Sequence, residues 1–132
     1  MAGRFEFDPV NKLPLFRCEG RLTDESLAES YQAIRKHSSA TDARMRIFDL
    51  SSVTEFAVSS EFIRQLANRE PAMADATRCP RIIVAADTVG FGLSRMFQLM
   101  GESTRPLLNV VHTMGEALAA LNIQSSHFRL LE

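Results

Sequence analysis

No charge of one sign dominates this chain. Fifteen lysines and arginines face sixteen aspartates and glutamates, leaving a net charge of −1. Such a balance offers no basic field to draw phosphate backbones, so nucleic acid is not an expected partner. Long apolar runs are missing too: none approaches the roughly 18 residues that a bilayer span needs, and no integral membrane segment is expected. The opening MAGRFEFDPV carries charge and has no apolar core, unlike a secretory leader. Cysteine is scarce. Cys18 and Cys79 stand far apart, outside any C-x-x-C, and read as reduced thiols of a cytoplasmic protein. His37, His112 and His127 have no second ligand at metal-site spacing, so neither a metal nor another cofactor is expected.

What remains is an ordinary globular composition, 45% hydrophobic over 132 residues, enough for one domain with a core of its own. Arg4 to Asp8 alternates polar and aromatic, as a half-buried strand does. Asp8-Pro9 begins a turn, and Leu13 to Leu22 returns as the second strand of a hairpin. Phe5 and Phe7 then lie at the presumed sheet edge, where unpaired backbone can recruit a second copy, so a homodimer is expected.

Thr23-Asp24-Glu25 supplies a capping hydroxyl and two acids to the first turn of a helix whose Leu27, Tyr31 and Ile34 share one face. Met45 to Leu50 reads as a strand and Glu61 to Asn68 as a helix. Arg81 to Ala86 is compact and aliphatic, as in a strand of a parallel sheet buried on both faces. Leu93, Met96, Phe97 and Met100 recur at helical spacing, Leu107 to His112 gives a further strand, and Thr113 with Glu116 forms a capping box. The order β-β-α-β-α-β-α-β-α predicts a mainly parallel α/β sheet with an N-terminal antiparallel hairpin and about four helices. Residues 1–123 are expected to form this domain and 124–132 a short tail, with Phe128 and Leu131 touching the body.

Two stretches carry candidate chemistry. Gly92-Leu93-Ser94-Arg95-Met96 approaches a G-x-S-x-G nucleophile elbow, but Met96 replaces the closing glycine and the serine lies too far beyond its strand. No catalytic residue is assigned, and an enzyme is not expected. Gly90, Gly92, Ser94 and Arg95 could instead form an anion or ligand loop, with free backbone, a capping hydroxyl and a positive charge. The second stretch, Val58-Ser59-Ser60-Glu61, puts two serines at a helix start. Either can cap the helix, and a phosphate there would suit the helix dipole.

These residues carry a resemblance. In STAS domains of the SpoIIAA type, found in anti-sigma-factor antagonists, a strand ending in D-L precedes a loop with D-S-S-G and a leucine-rich helix. Here Phe48-Asp49-Leu50 precedes Val58-Ser59-Ser60-Glu61 and Phe62 to Leu66. The stretches GRLTDESL, FDLSSV, FGLSRMFQ and VVHTMGEAL are similar to single-domain bacterial SpoIIAA-like (STAS/SEC14-type) proteins. The resemblance puts Ser59 in place of the phosphorylated serine and Ser60 beside it, with Val58 replacing the acid and Glu61 the glycine. It implies a SpoIIAA-like fold and a non-enzymatic regulatory module that binds a protein partner, such as an anti-sigma-type kinase, through a degenerate phosphoserine motif. The alternative is a small apolar-ligand or lipid-binding protein with a pocket among Phe62, Phe91, Met96, Phe97 and Met100.

Overall fold

The structure is a computed structural model that describes residues 3–38, 45–69 and 79–130. The hairpin is present: β1 (Gly3–Asp8) pairs antiparallel with β2 (Leu13–Thr23), Phe5 opposite Phe16. Helix α1 (Asp24–Ser38) follows, then β3 (Arg46–Ala57) and α2 (Ser60–Ala67). Beyond them come β4 (Arg81–Val84), α3 (Thr88–Met100), β5 (Leu108–Val111), α4 (Met114–Ala120) and β6 (Arg129–Leu130). The six strands form one sheet in the order β5-β4-β3-β2-β1-β6, parallel from β5 to β2. This is the mainly parallel α/β architecture that the sequence order predicts.

Side chains alternate across the sheet. Leu13, Leu15, Ile47, Ile82 and Val84 face α4 and pack with its Ala117, Met114 and Leu118. Phe16, Cys18, Leu22, Phe48 and Leu50 face the other way, against Leu27 and Ile34 of α1. Ile83, Ala85 and Leu108 continue that second face beneath Phe91 and Phe97 of α3. All four residues of β4 are buried, which explains why RIIV carries no polar alternation. Toward the C-terminal end of the α4 face, polar pairs replace the apolar layer. Arg17 bonds Glu6 at 2.8 Å and Asp49, and Arg4 reaches Glu6 at 3.1 Å. Burial pushes the Glu6 carboxyl up, but the two arginines outweigh it and hold it below its usual range.

Three expectations need correction. First, β3 does not stop at Leu50. Pairing with β2 carries it to Ala57, through Glu19↔Ser52, Arg21↔Glu55 and Thr23↔Ala57. Two register shifts accompany the extension, one of them beside Gly20, whose φ of +71° suits glycine. Second, β1 is not the edge. The tail folds back as β6, opposite Glu6 and Phe7, and Phe5 turns inward, stacked on His37 at 4.1 Å and tilted against Phe16. Third, the tail is part of the sheet. Phe128 packs on the α4-side core as expected, while Leu131 lies outside the described residues.

Asp8 holds the tail in place. The residue is fully buried, and its carboxylate accepts from Val10 N (3.0 Å), Asn11 N (3.0 Å), Asn11 Nδ2 (2.7 Å) and His127 N (2.8 Å). Asn11 Nδ2 also donates to Ser125 O. Burial pushes the carboxyl up, but these donors outweigh it and hold it below its ordinary 3.8. Its contribution to stability is thus complete above that value and drains away as pH falls below it. We expect Asp8→Ala to cost about 2–4 kcal/mol at neutral pH, because the lost bonds end on a charged group. Hydrogen exchange should speed up at Arg129 and Leu130, and the gap between variant and wild type should narrow below pH ~4. Denaturant unfolding as a function of pH checks both.

Candidate functional site at the start of α2

The register Thr23↔Ala57 ends β2 and β3 side by side, so the helices that follow them start as neighbours. Helix α1 begins with a reciprocal pair: Thr23 Oγ1 accepts from Ser26 N at 3.0 Å, and Ser26 Oγ accepts from Thr23 N at 2.8 Å. This leaves Asp24, in the first turn, aimed at the start of α2. Its Oδ1 accepts from Ser59 N and its Oδ2 from Ser59 Oγ, both at 2.9 Å.

Ser59 is the N-cap of α2. Its backbone is extended (φ −81°, ψ 148°), and Oγ accepts from Phe62 N at 3.1 Å. The hydroxyl is thus fixed at both ends, donating to a carboxylate and accepting from a helix amide. Ser60 is the first helical residue; it and Ser59 are both exposed. Glu61 adds a second carboxylate and pairs with Arg64 at 3.2 Å. A carboxylate also reaches Ser59 from Asp24, across the two helix starts. An acid in a first helical turn has an ordinary dipole explanation, so nothing local in TDESL marks its second role.

The opposite end of α2 is clamped by a residue with no sequence signal, Arg105. Only 4% exposed, it donates to Ala67 O (3.0 Å), Leu66 O (3.3 Å) and Arg69 O (3.2 Å). Its guanidinium sits 4.7 Å from the Phe97 ring centre. Burial pulls its pKa down, and the Tyr31 hydroxyl, bonded to it, works against that shift. A cation at a helix C-terminus satisfies carbonyls that have no partner within the helix.

The loop expected at 90–95 is helix. α3 starts at Thr88, capped by Asp87, whose Oδ1 takes Val89 N (2.7 Å) and Gly90 N (3.4 Å). Gly90, Gly92, Ser94 and Arg95 therefore lie within its first three turns, with no open backbone to wrap an anion. Arg95 turns outward and bonds Gln98 Oε1 at 2.6 Å. Gly90 has a packing role: a Cβ there would meet the Phe56 ring at 2.4 Å. Gly92 faces open space, with nothing within 4 Å.

Between the sheet and helices α1, α2 and α3 lies a cavity of about 150 Å³. Its walls include Phe16, Phe48, Leu27, Ile63 and Leu93, and Val58 and Ile63 bring it up behind Ser59. The pocket expected among Phe62, Phe91, Met96, Phe97 and Met100 is not this one, since only Phe97 lines it. Phe91 stacks on His112 at 4.0 Å, and Met100 is exposed. α2 packs along α3, whereas α1 sits on β2; the gap follows from that division. Cys18, also in the wall, is buried, and burial followed by the charge of Asp49 pushes its thiol up to about 12. It is no nucleophile at neutral pH.

Two measurements check this geometry. Ser59→Ala should cost about 0.5–2 kcal/mol, and a double-mutant cycle with Asp24→Ala should give a coupling of at least about 0.5 kcal/mol; strict additivity would dissolve the pair. Gly90→Ala gains about 1 kcal/mol of helix propensity but meets the Phe56 ring, where overpacking costs about 1–3 kcal/mol, so Tm should fall. Gly92→Ala meets nothing and should raise Tm. A loop at this position would give neither sign.

With this geometry in hand, the chain can be compared with known proteins. It is similar to the anti-sigma factor antagonist SpoIIAA in its unphosphorylated form, at 11% identity over 94% of this chain and 100% of that one, with a TM-score of 0.58. It is also similar to an anti-sigma factor antagonist from Mycobacterium paratuberculosis, at 18% identity over 83% of this chain and 86% of that one, with a TM-score of 0.49. No protein-family model and no curated protein sequence matches it. The fold is the SpoIIAA-like, STAS-type α/β fold. Among the described residues, no helix is long and apolar enough to cross a membrane.

Proposed function

We propose that this protein is a non-enzymatic STAS-like regulatory module that binds a protein partner, of the anti-sigma kinase type, through the surface at the start of α2. The observation that carries the reading is the bonding of Ser59: an exposed hydroxyl that both caps a helix and bonds an acid on the neighbouring helix. In the unmodified protein this hydroxyl is a structural cap that ties two helix starts into one surface. A cytoplasmic setting fits this reading.

A phosphate on Ser59 would bring nearly two negative charges to that surface. The α2 dipole would favour it by about 0.3–1 kcal/mol. Asp24, at hydrogen-bond distance, opposes it more strongly, since each pair of unit charges about 4 Å apart repels by about 1 kcal/mol even in water, and the phosphate carries nearly two. Repulsion wins, and the two helix starts separate. Modification would thus undo the surface that the partner reads.

The test takes protein isolated from its own host and measures phosphate at Ser59 by mass spectrometry, together with the proteins that co-purify. Phosphate on the free fraction and its absence from the partner-bound fraction is the expected result. Ser59→Asp should fold and lose the partner, while Ser59→Ala keeps it. Unmodified Ser59 throughout, with the same partners retained by Ser59→Asp, would remove the switch from the proposal. A second reading, a small apolar-ligand protein, is favoured by the cavity behind Ser59, and it can coexist with the first.

A further inference from the structure

The cavity's polar lining narrows what can enter. Ser30 Oγ donates to Ser26 O at 2.9 Å and also bonds the Cys18 thiol. Arg105 spends both terminal nitrogens, Nη1 on Ala67 O and Thr104 Oγ1 and Nη2 on Leu66 O and Arg69 O. Tyr31 bonds Arg105, and Arg81 has interactions of its own. Ser94 is different. It is 5% exposed, it lines the cavity, and its hydroxyl has no hydrogen-bond partner among the described residues. A serine at this depth in a helix ordinarily bonds back to a carbonyl one turn earlier. Here the hydroxyl is left for the cavity.

We propose that this cavity binds a compact, uncharged, largely apolar molecule with one hydrogen-bonding group, which Ser94 meets. The inference rests on the ligand-binding reading above and gives that ligand a chemical class. Size sets one limit: apolar cavities of about 150 Å³ admit benzene, whereas sites for drug-sized molecules run to about 300–1,000 Å³. A long acyl chain would not be enclosed within about 150 Å³. Charge sets another, because the surface that the walls present is almost wholly apolar, so a buried ion would lack compensation. A small phenol or alcohol meets both limits. Its ring or alkyl body would touch Leu27, Ile63 and Leu93, one from each helix.

Phenol and toluene make the test, being nearly isosteric and differing in the one polar group. Binding to the full chain is followed by titration calorimetry and by the rise in Tm with ligand concentration. Both should bind wild type. Ser94→Ala should weaken phenol about two- to tenfold, the worth of one hydrogen bond, and leave toluene unchanged or tighter. Leu93→Trp, which fills the space, should abolish both. Should that variant fail to fold, nuclear Overhauser contacts from the phenol ring to the Leu27, Ile63 and Leu93 methyls in wild type place the ligand independently. Toluene binding with phenol indifferent to Ser94→Ala would overturn the assignment to Ser94 yet leave the ligand-binding reading standing. If neither molecule binds, or the contacts fall outside the cavity, both are overturned.

Discussion

The parallel pairing of β2 with β3 is the constraint on which the rest of the molecule depends. It continues well past the end of β4, to Thr23 opposite Ala57, and each strand then turns into a helix within three residues. Because the strands end level, the helix starts are delivered level, and Asp24 finds Ser59 within 2.9 Å without any long side chain reaching across. A register slip of one residue would put Phe16 and Phe48 on opposite faces and carry Asp24 away from the cap. The interior packing that fixes the register therefore also fixes the exposed site.

The same pairing divides the helices. Among the described helices, α4 covers the face carrying Leu13, Leu15 and Ile47, with Ile123 and Phe128 beside it, while α1, α2 and α3 share the other. Three helices on one twisted sheet need close fits somewhere, and Gly90 supplies one by admitting the Phe56 ring. Arg105 supplies another, linking the loop after α3 to the C-terminus of α2, and through Tyr31 to α1. These contacts draw α2 and α3 together. α1 is left to its own seat on β2, and the space between them is not filled by side chains. Small residues, among them Ser30, Gly90 and Ser94, share the walls of that space with large ones.

Signals that are local in sequence were legible, and those created by tertiary pairing were not. The Thr113–Glu116 box formed as read, with each partner three residues from the other. The aliphatic run of β4 announced burial on both faces, and Ser59 announced a cap, because those patterns lie within one element. Ser51 to Ala57 reads as a loop: exposed residues predominate, and only the partner strand makes it β-structure. Phe91, between two glycines, looks like a hinge because glycine weakens helix propensity; the Phe56 ring that explains Gly90 lies 34 positions earlier in sequence. Asp24 and Arg105 escaped for the same reason: each has an ordinary local explanation and a separate distant partner. Ser94 was singled out, but as part of a loop rather than of a helix that lines a cavity.

The two ends of α2 are held by bonds of different character. At its C-terminus, Arg105 is buried, and its bonds to Leu66 and Ala67 are shielded from water. At its N-terminus, Ser59 and Asp24 hold the helix through exposed bonds. Water competes for exposed bonds and not for buried ones, so local opening is cheapest at the Ser59 end. Between the two ends, Ile63 and Leu66 turn their side chains into the cavity wall. One short helix thus carries an exposed cap at its start, apolar wall residues along its length and a buried cation at its end.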